Sequence, residues 1–285
     1  MDDQDVAIVG GGTMGTGIAY VFALAGFATT VVEPDEDRAL RMMAEIEAAA
    51  AGAVGRGKLD AAGATALRSG VCRVPSIAEL GDDLALAVET VPERAELKAA
   101  VLSELETHNA RVLASNTSSI SIDQLATGLS RPERFLGMHF FNPVWSLALV
   151  ELVRGAATSA ETVASATALV SRIGKQHIVV ADVPGFATSR LDLIAALEAM
   201  RMLEDGVASA ADIDRAAELA YRHPVGPLRL SDIVGLDVRL DIARQLERTY
   251  GERYRAPQIL VDLVAAGRLG RKTGGGFHDW PVAGR

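Results

Sequence analysis

Short apolar runs alternate along the N-terminal part of the chain with longer segments whose apolar residues recur at helical spacing. Such runs are typical of buried parallel strands, whereas a period near 3.6 residues predicts amphipathic helices. Strands are predicted at residues 6–10, 28–33, 84–91, 111–118, 134–143, 147–153 and 176–181. Helices are predicted between them, including 13–26, 37–59 and 92–108.

This alternation predicts an α/β fold: an N-terminal Rossmann-type domain with a mostly parallel sheet and helices on both faces. The segments at 134–143 and 147–153 are close enough in sequence to pair with each other. The strand pattern stops at DVPGF, residues 182–186, and helical patterns follow at 189–206, 209–222, 230–251 and 256–267. We therefore expect a Rossmann-type domain over 1–182 and an all-α domain over 183–285.

Composition narrows the class of protein. The chain has 285 residues, 49% of them hydrophobic, and a formal net charge of −9. This charge disfavours nucleic acid as a partner, because phosphate binding needs a basic face. The single cysteine, Cys72, excludes an internal disulfide framework. The acidic start has no signal-peptide pattern and no apolar stretch reaches the ~20 residues that cross a bilayer, so we expect a cytoplasmic protein without a membrane segment.

The first predicted strand runs into GGGTMG, which fits the dinucleotide fingerprint G-x-G-x-x-G. The motif alone is weak, but here it follows a strand and opens a helix, as the fingerprint requires. The first glycine allows a tight turn, the second lets a pyrophosphate approach the backbone, and the third packs the helix on the sheet. The motif therefore predicts a dinucleotide site formed by Gly10, Gly12, Thr13, Met14 and Gly15.

The end of the second predicted strand indicates which dinucleotide binds. Glu33 lies 18 residues after Gly15. A carboxylate at this place can accept both ribose hydroxyls of NAD and would repel a 2′-phosphate. The predicted cofactor is NAD, and Arg38, five residues after Glu33, is the feature that keeps NADP as the alternative.

Two ionisable residues lie inside neighbouring apolar strands of the first domain. His139 lies in RFLGMHFFNP and Glu151, twelve residues later, in LALVELV. A buried carboxylate needs a partner, because an uncompensated charge costs several kcal/mol. Pairing of the two strands would supply one and would orient the imidazole to take a proton from an alcohol while hydride leaves for NAD. The alternative is a satisfied core histidine.

Polar residues also gather at other predicted strand ends, where ligands lie in sheets of this kind. The sequence VETVPERAELK contains Glu89, Glu93 and Lys98, and SNTSS spans residues 115–119. The alternatives are a solvated helix face for the first group and a turn or helix N-cap for the second. The remaining histidines are scattered without metal-ligand spacing, so no metal is predicted.

Together these motifs resemble the short-chain L-3-hydroxyacyl-CoA dehydrogenase family, which includes 3-hydroxybutyryl-CoA dehydrogenases. The resemblance covers nearly the whole chain. It rests on the ordered motifs VAIVGGGTMGTGIA, VETVPERAELK, ASNTSSI, RFLGMHFFNPV, LVELV, DVPGF, HPVGPLRLSDIVGLD and GRLGRKTGGGFHDW. It implies an NAD-dependent oxidoreductase of fatty acid metabolism that interconverts an L-3-hydroxyacyl thioester and the 3-oxoacyl thioester. It also implies a homodimer formed by the helical domain, with the two domains closing over the ligands.

The resemblance implies roles for single residues. His139 matches the catalytic base and Glu151 its partner. Ser118 matches the serine that hydrogen-bonds the substrate oxygen, and Asn142 matches an asparagine near the nicotinamide. Further implied contacts are Glu93 and Lys98 with NAD, Lys98 also with the thioester, Lys272 with the ligands from the second domain, and Lys58 with the CoA nucleotide.

Three positions depart from the family pattern. Trp145 stands where the family commonly has proline, Ala148 where it has lysine, and Ser189 where it has an asparagine of the substrate pocket. The NAD half is therefore typical, and the acyl half, to which we assign Ser189 and Trp145, is altered.

Several functions stay open on the sequence. A CoA-linked substrate is favoured, and a small hydroxyacyl group on a carrier protein is the first alternative. A free hydroxy acid, as in gulonate and carnitine dehydrogenases, is disfavoured by HFFNPV, which matches the acyl-CoA branch. A non-catalytic NAD-binding protein is disfavoured by the combination of His139, Glu151 and Ser118.

Overall fold

A computed structural model describes residues 5–281 of the chain. The acidic start considered above, residues 1–4, lies outside this range. Within it, the strands form one eight-stranded sheet of order β3-β2-β1-β4-β5-β6-β7-β8. They are β1 Asp5–Val9, β2 Ala28–Val32, β3 Val71–Val74, β4 Leu86–Glu89, β5 Val112–Ser115, β6 Phe135–Phe140, β7 Leu149–Arg154 and β8 Gln176–Ala181.

Every neighbouring pair in the sheet is parallel except β6 and β7, which are antiparallel. The central strands are apolar on both faces because helices cover both faces, and Ile8, Leu86 and Val112 are completely buried. The first three strands are added in one direction, from β1 to β3. The chain then crosses back and places β4 on the other side of β1, so the sheet has a topological switch point at the carboxyl ends of β1 and β4. The predicted α/β fold with a mostly parallel Rossmann-type sheet is confirmed.

Six helices accompany the sheet within the described residues. They are α1 Thr13–Leu24, α2 Glu36–Gly55, α3 Ala61–Ser69, α4 Ala95–Glu106, α5 Ile122–Ala126 and α6 Ala160–Arg172. Of these, α1, α2 and α4 correspond to the predicted segments. The helix predicted at 37–59 is present as Glu36–Gly55 but ends four residues earlier than predicted, because the chain turns at Gly57, whose φ is +66°. A new helix begins after Asp60, whose side chain accepts a hydrogen bond from the amide of Gly63 at 2.7 Å. Strand β3 was not predicted.

The chain divides into two compact units, the first ending at Val183 and the second beginning at Pro184. The second unit contains α7 Thr188–Glu204, α8 Ala210–Tyr221, α9 Pro227–Val234, α10 Leu236–Tyr250 and α11 Gln258–Ala265. Its own apolar core includes Leu193, Leu197, Leu228, Leu240 and Leu260. The helical pattern at 230–251 is interrupted at Gly235, whose φ of +108° ends α9 and starts α10.

Asp232 holds the end of the second unit to its helices. It lies in α9, is completely buried, and accepts hydrogen bonds from the amides of Phe277 and His278 and from Nε1 of Trp280 at 2.8–2.9 Å. Three donors on one carboxylate satisfy a charge that would otherwise be costly to bury. Asp232 therefore holds the segment around 276–280 to α9, where the guanidinium of Arg229 also lies over the ring of Trp280 at 5.3 Å.

We expect Asp232→Ala to lower the free energy of unfolding by about 3–5 kcal/mol, because three buried donors lose their acceptor. Asp279→Ala is the matched control: the side chain of Asp279 is fully exposed, and its loss should change the free energy of unfolding by less than about 0.5 kcal/mol. Urea unfolding followed by circular dichroism measures both. Equal small effects would contradict the anchoring role of Asp232.

Candidate active site

The glycine-rich loop joins β1 to α1 at the switch point of the sheet. A Cβ on Gly15 would lie 1.8 Å from the carbonyl oxygen of Gly10, so only glycine fits there. A Cβ on Gly12 would meet no atom within 4 Å. Gly12 also precedes the first turn of α1, whose amides are not all used within the helix. The loop therefore has a closed side toward the helix and an open side toward the cofactor cleft, as a pyrophosphate-binding loop requires.

Glu33 follows β2 and is buried against the glycine-rich loop. Its Oε2 accepts a hydrogen bond from the amide of Gly11 at 3.0 Å, and its Oε1 accepts one from the amide of Asp35 at 3.0 Å. Arg38, which is half exposed, forms an ion pair with the same carboxylate at 3.1 Å. Glu33 is thus fixed beside the loop, in the place where a carboxylate receives the ribose hydroxyls of NAD.

A cleft of about 610 Å³ runs along these elements. It is large enough for a nucleotide, since ligand pockets span about 300–1,000 Å³. Glycines and polar groups line one end, and apolar side chains suited to an adenine ring line the other. The residues that border it include Gly10, Gly12, Thr13, Met14, Glu33, Arg38, Pro75, Ile77, Thr90, Leu97 and Val101. The open Cβ position of Gly12 and this lining fit a bound NAD.

The pairing of β6 with β7 places His139 directly opposite Glu151. Nδ1 of His139 lies 2.8 Å from Oε2 of Glu151. Glu151 is completely buried and His139 is 7% exposed. A neutral imidazole therefore carries its proton on Nδ1 toward Glu151, which leaves Nε2 to accept a proton.

A second cavity, of about 290 Å³, contains His139. It shares Met14, Thr90 and Val91 with the cofactor cleft, so the two spaces adjoin at the switch point. Its other lining residues are Glu93, Lys98, Asn116, Ser118, His139 and Phe140. Five of the predicted site residues therefore meet at one cavity beside the cleft: Met14, Glu93, Lys98, Ser118 and His139.

Glu93 organises the loop that carries Ser118. Its Oε1 accepts hydrogen bonds from the hydroxyls of Thr117 and Ser119 and from the amides of Ser118 and Ser119, at 2.6–3.1 Å. Burial acts to raise the pKa of the Glu93 carboxyl, but the bond from Thr117 and the charge of Lys98 outweigh it, so this pKa lies below its ordinary value. Glu93 thus remains an acceptor at neutral pH and fixes the backbone of Ser118.

Lys98 lies at the back of the same cavity and is 1% exposed. Its Nζ donates to both oxygens of Glu89, at 2.8 and 3.0 Å, and to the carbonyl of Val91, and it forms an ion pair with Glu93 at 3.2 Å. Burial raises the pKa of the Glu89 carboxyl above its ordinary value, although Lys98 acts in the opposite direction. The predicted contacts of Lys98 with NAD and the thioester would therefore be made by a side chain that two carboxylates already hold.

The loop between β6 and β7 carries Asn142 and Trp145. Asn142 is exposed, one residue beyond Phe141, whose ring packs 4.4 Å from the ring of His139. Trp145 is 41% exposed and packs edge-to-face on Tyr20 of α1, with ring centroids 5.8 Å apart. Trp145 does not border the cavity of His139, and its assignment to the acyl site stays a prediction.

Three further predicted ligand-binding residues are Lys58 in the first unit and Ser189 and Lys272 in the second. Lys58 follows α2 in an exposed turn, where its amide donates to the carbonyl of Ala53 at 2.9 Å. In the second unit, Ser189 is half-buried in the first turn of α7. Lys272 donates to both carboxylate oxygens of Asp237 at 2.6 Å, and this bond lowers the pKa of Asp237. Their roles also stay predictions.

Three residues that sequence reasoning missed support the site. Thr90 borders both cavities, and its hydroxyl bonds the carbonyls of Val9 and Gly10 at 3.0 Å. Oδ1 of Asn116 accepts the amide of Phe140 at 2.9 Å and so ties β5 to β6 beside His139. Nζ of Lys175 donates to the carbonyls of Val144 and Leu147 at 2.6 Å. Thr90 and Asn116 directly follow strands, which is the signal that could have found them; Lys175 has none.

No helix within residues 5–281 is long and apolar enough to span a membrane. No group of three or more His, Cys, Asp or Glu side chains in the same range is arranged to hold a metal ion.

The fold and the two adjoining cavities define a dinucleotide-dependent oxidoreductase, and comparison with known proteins specifies it further. Residues 5–183 match the NAD binding domain of 3-hydroxyacyl-CoA dehydrogenase, and residues 185–280 match the C-terminal domain of the same family. The chain therefore belongs to the 3-hydroxyacyl-CoA dehydrogenase family, its cofactor is NAD, and the predicted resemblance is confirmed.

Individual relatives match over nearly their whole length. A 3-hydroxybutyryl-CoA dehydrogenase of Bradyrhizobium diazoefficiens is 40% identical, with 97% of this chain and 95% of the relative covered. One from Mycobacterium tuberculosis is 39% identical, with 97% and 98% covered. The crystal structure of (S)-3-hydroxybutyryl-CoA dehydrogenase from Ralstonia eutropha superposes with a TM-score of 0.94 at 36% identity and covers 99% of this chain and 100% of that one.

The two faces of the glycine-rich loop predict different outcomes for two similar substitutions. Gly12→Ala should leave the melting temperature nearly unchanged, because the added methyl meets no atom and the φ of −76° suits alanine. It should weaken NADH binding by about tenfold or more, because the methyl occupies the approach of the pyrophosphate. NADH fluorescence titration and thermal unfolding measure the two effects.

Gly15→Ala is the matched comparison. Its methyl would overlap the carbonyl oxygen of Gly10, so this variant should lose stability as well as NADH affinity. If Gly12→Ala bound NADH as tightly as the wild type, the cofactor would not approach the loop on its open side.

Proposed function

We propose that the protein oxidises L-3-hydroxyacyl-CoA thioesters to 3-oxoacyl-CoA with NAD, or catalyses the reverse reduction. One observation carries this proposal: an imidazole oriented by a buried carboxylate shares a cavity with Ser118, and this cavity adjoins the NAD cleft. The names of the relatives support the CoA thioester as substrate.

His139 and Glu151 would handle the proton of the reaction. Bound NAD supplies the hydride acceptor for the oxidation. Nε2 of His139 takes the proton of the substrate hydroxyl, and Glu151, 2.8 Å from Nδ1, stabilises the imidazolium that results. In the reduction, the imidazolium returns this proton to the carbonyl oxygen.

Ser118 would position the reacting oxygen. Its backbone amide is fixed by Glu93 at 3.1 Å, while the residue itself is exposed toward the cavity. A hydroxyl held in this way can hydrogen-bond the substrate oxygen in both its alcohol and carbonyl forms, since it both donates and accepts. Asn142 would complete the site near the nicotinamide.

The finer features of the function belong to the same proposal. The acyl-binding pocket would differ from that of the family at Ser189 and Trp145. It would therefore favour an acyl group other than acetoacetyl, preferably a small or polar one. A carrier-protein thioester is the alternative carrier. The homodimer through the helical unit, the closure of Lys272 over the ligands and the cytoplasmic location complete the proposal, and each rests on the family resemblance or on composition.

We expect His139→Ala to lower kcat for acetoacetyl-CoA reduction by about 10³-fold or more, because the imidazole proposed to deliver the proton is removed. NADH affinity should stay nearly unchanged. Glu151→Gln should also lose rate, since the imidazolium would lose its counter-charge. Steady-state kinetics and NADH titration measure these effects, and near-wild-type turnover by His139→Ala would leave the pair with a structural role only.

The acyl-site assignment is tested by restoring the residue that the family commonly has. Serine is shorter than asparagine and cannot replace both its donor and its acceptor. Ser189→Asn should therefore raise kcat/KM for acetoacetyl-CoA by about 5- to 150-fold, the equivalent of roughly 1–3 kcal/mol. Efficient wild-type turnover of acetoacetyl-CoA that does not change in Ser189→Asn would refute an altered acyl pocket. Longer 3-oxoacyl-CoA substrates and a carrier-protein thioester complete the comparison.

A further inference from the structure

Glu89 is a completely buried carboxylate that has no part in the proton transfer described above. It lies at the carboxyl end of β4 and accepts from three elements around it. Nζ of Lys98 donates to both of its oxygens, the hydroxyl of Ser115 donates at 2.6 Å, and the amide of Val91 donates at 2.6 Å. These bonds satisfy the carboxylate, so its burial has no need of a ligand.

Lys98 joins Glu89 to Glu93 and thereby forms a charged triad. The ammonium lies 2.8 Å from Glu89 and 3.2 Å from Glu93. Two carboxylates share one ammonium, which gives the triad a net charge of minus one. Since Glu89 and Lys98 are almost completely excluded from water, solvent screens their charges weakly.

The sheet brings this charge close to His139. Glu89 is in register with Ser115 on β5, and Ser115 is in register with Gly137 on β6, two residues before His139. Residues related in this way project from the same face of a sheet. Two strand spacings and two residues correspond to about 12 Å between the backbones of Glu89 and His139. Lys98 and Glu93 line the same cavity as His139.

We propose that Glu89, through the net negative charge of the triad with Lys98 and Glu93, favours the protonated form of His139 and so tunes the base of the reaction. Glu89 is thus a positioning residue that acts on charge and touches neither substrate nor cofactor. The inference rests on the proposed function for its catalytic meaning, but the effect on His139 does not depend on any ligand.

Ionisable side chains neighbour His139 both on β7 and in its cavity. Glu151 on β7 contacts its ring, and Glu93 and Lys98 border its cavity. Glu151 is left unchanged in every variant described below. Removing the negative charge of Glu89 therefore raises the net charge of the triad near His139 by one unit, from minus one to zero. Two unit charges about 12 Å apart, at an effective dielectric constant of about 20, have a Coulomb energy that corresponds to a pKa change of about one unit.

The experiment is a titration of the histidine ring by NMR in full-length, histidine-labelled protein without substrate or cofactor. His139→Gln identifies the resonance. Glu89→Gln should lower the pKa of His139 by about half a unit to one unit. The double variant Glu89→Gln/Lys98→Met restores the net charge of minus one and should return this pKa most of the way to the wild-type value. Glu96→Gln, on the exposed face of α4, is the matched control and should leave it unchanged.

Kinetics supply an independent measurement. A lower pKa of His139 leaves the ring neutral at lower pH, so the acid limb of kcat/KM for the oxidation should move to lower pH in Glu89→Gln. The alkaline limb of the reduction, which needs the protonated ring, should move in the same direction. A residue that only held the fold together would lower the melting temperature without moving either limb.

Two results would overturn the proposal: an unchanged pKa of His139 in folded Glu89→Gln, or a change that persists in the double variant, which would mean displacement of the ring. If Glu89→Gln does not fold, Glu93→Gln removes a charge of the same triad at a half-exposed position and should shift the pKa in the same direction. Failure of the proposed function is distinguishable, because turnover by His139→Ala would refute the catalytic role while the ring titration would still report the triad.

Discussion

The antiparallel pairing of β6 with β7 is the constraint on which the candidate site depends. In an otherwise parallel sheet, this one reversal lets a short loop return the chain so that Glu151 faces His139 across the strands. The hydrogen bond between them satisfies a carboxylate that has no contact with water. Because β6 also pairs with β5 in parallel, the same strand carries His139 toward the loop of Ser118. One strand thus links the pair of His139 and Glu151 to the loop that carries Ser118.

Buried carboxylates recur in this molecule, and each is satisfied by donors from different segments. Glu33 joins the glycine-rich loop to the turn after β2, Glu89 joins β4 to α4 and β5, and Asp232 joins α9 to the end of the second unit. A carboxylate of this kind is expensive to bury without partners. Each one therefore specifies the relative positions of the segments that surround it, in addition to any role in binding or catalysis.

The sequence predicted the sheet and the residues at the carboxyl ends of its strands, because both depend on local pattern. The apolar runs were short enough to be distinguished from helices, and the fingerprint required a strand before Gly10 and a helix after it. Strand β3 was missed because only four residues form it and they include Arg73 and Cys72. The break after Gly55 was missed because the alanine-rich helical pattern continues without a strong stop signal until Gly57 turns the chain.

The connections within the site were less predictable than its members. His139 and Glu151 could be paired because only one loop separates their strands. The bond of Lys98 to Glu89 depends instead on how α4 packs on the end of β4, and that of Glu93 to Thr117 on the spacing of β4 and β5. Both are tertiary distances that no spacing along the chain encodes. The contact of Trp145 with Tyr20 is of the same kind.

Lys175 holds the loop between β6 and β7 through its backbone, so the path of this loop depends little on its side chains. Its ammonium donates hydrogen bonds to the main-chain carbonyls of Val144 and Leu147. The path of the loop is thus fixed by atoms that every amino acid possesses. Side chains such as Trp145 and Ser146 can be exchanged while the backbone keeps its course and the strands keep their register. Substitutions on the surface of this loop can therefore accumulate at little cost to the pairing of His139 with Glu151.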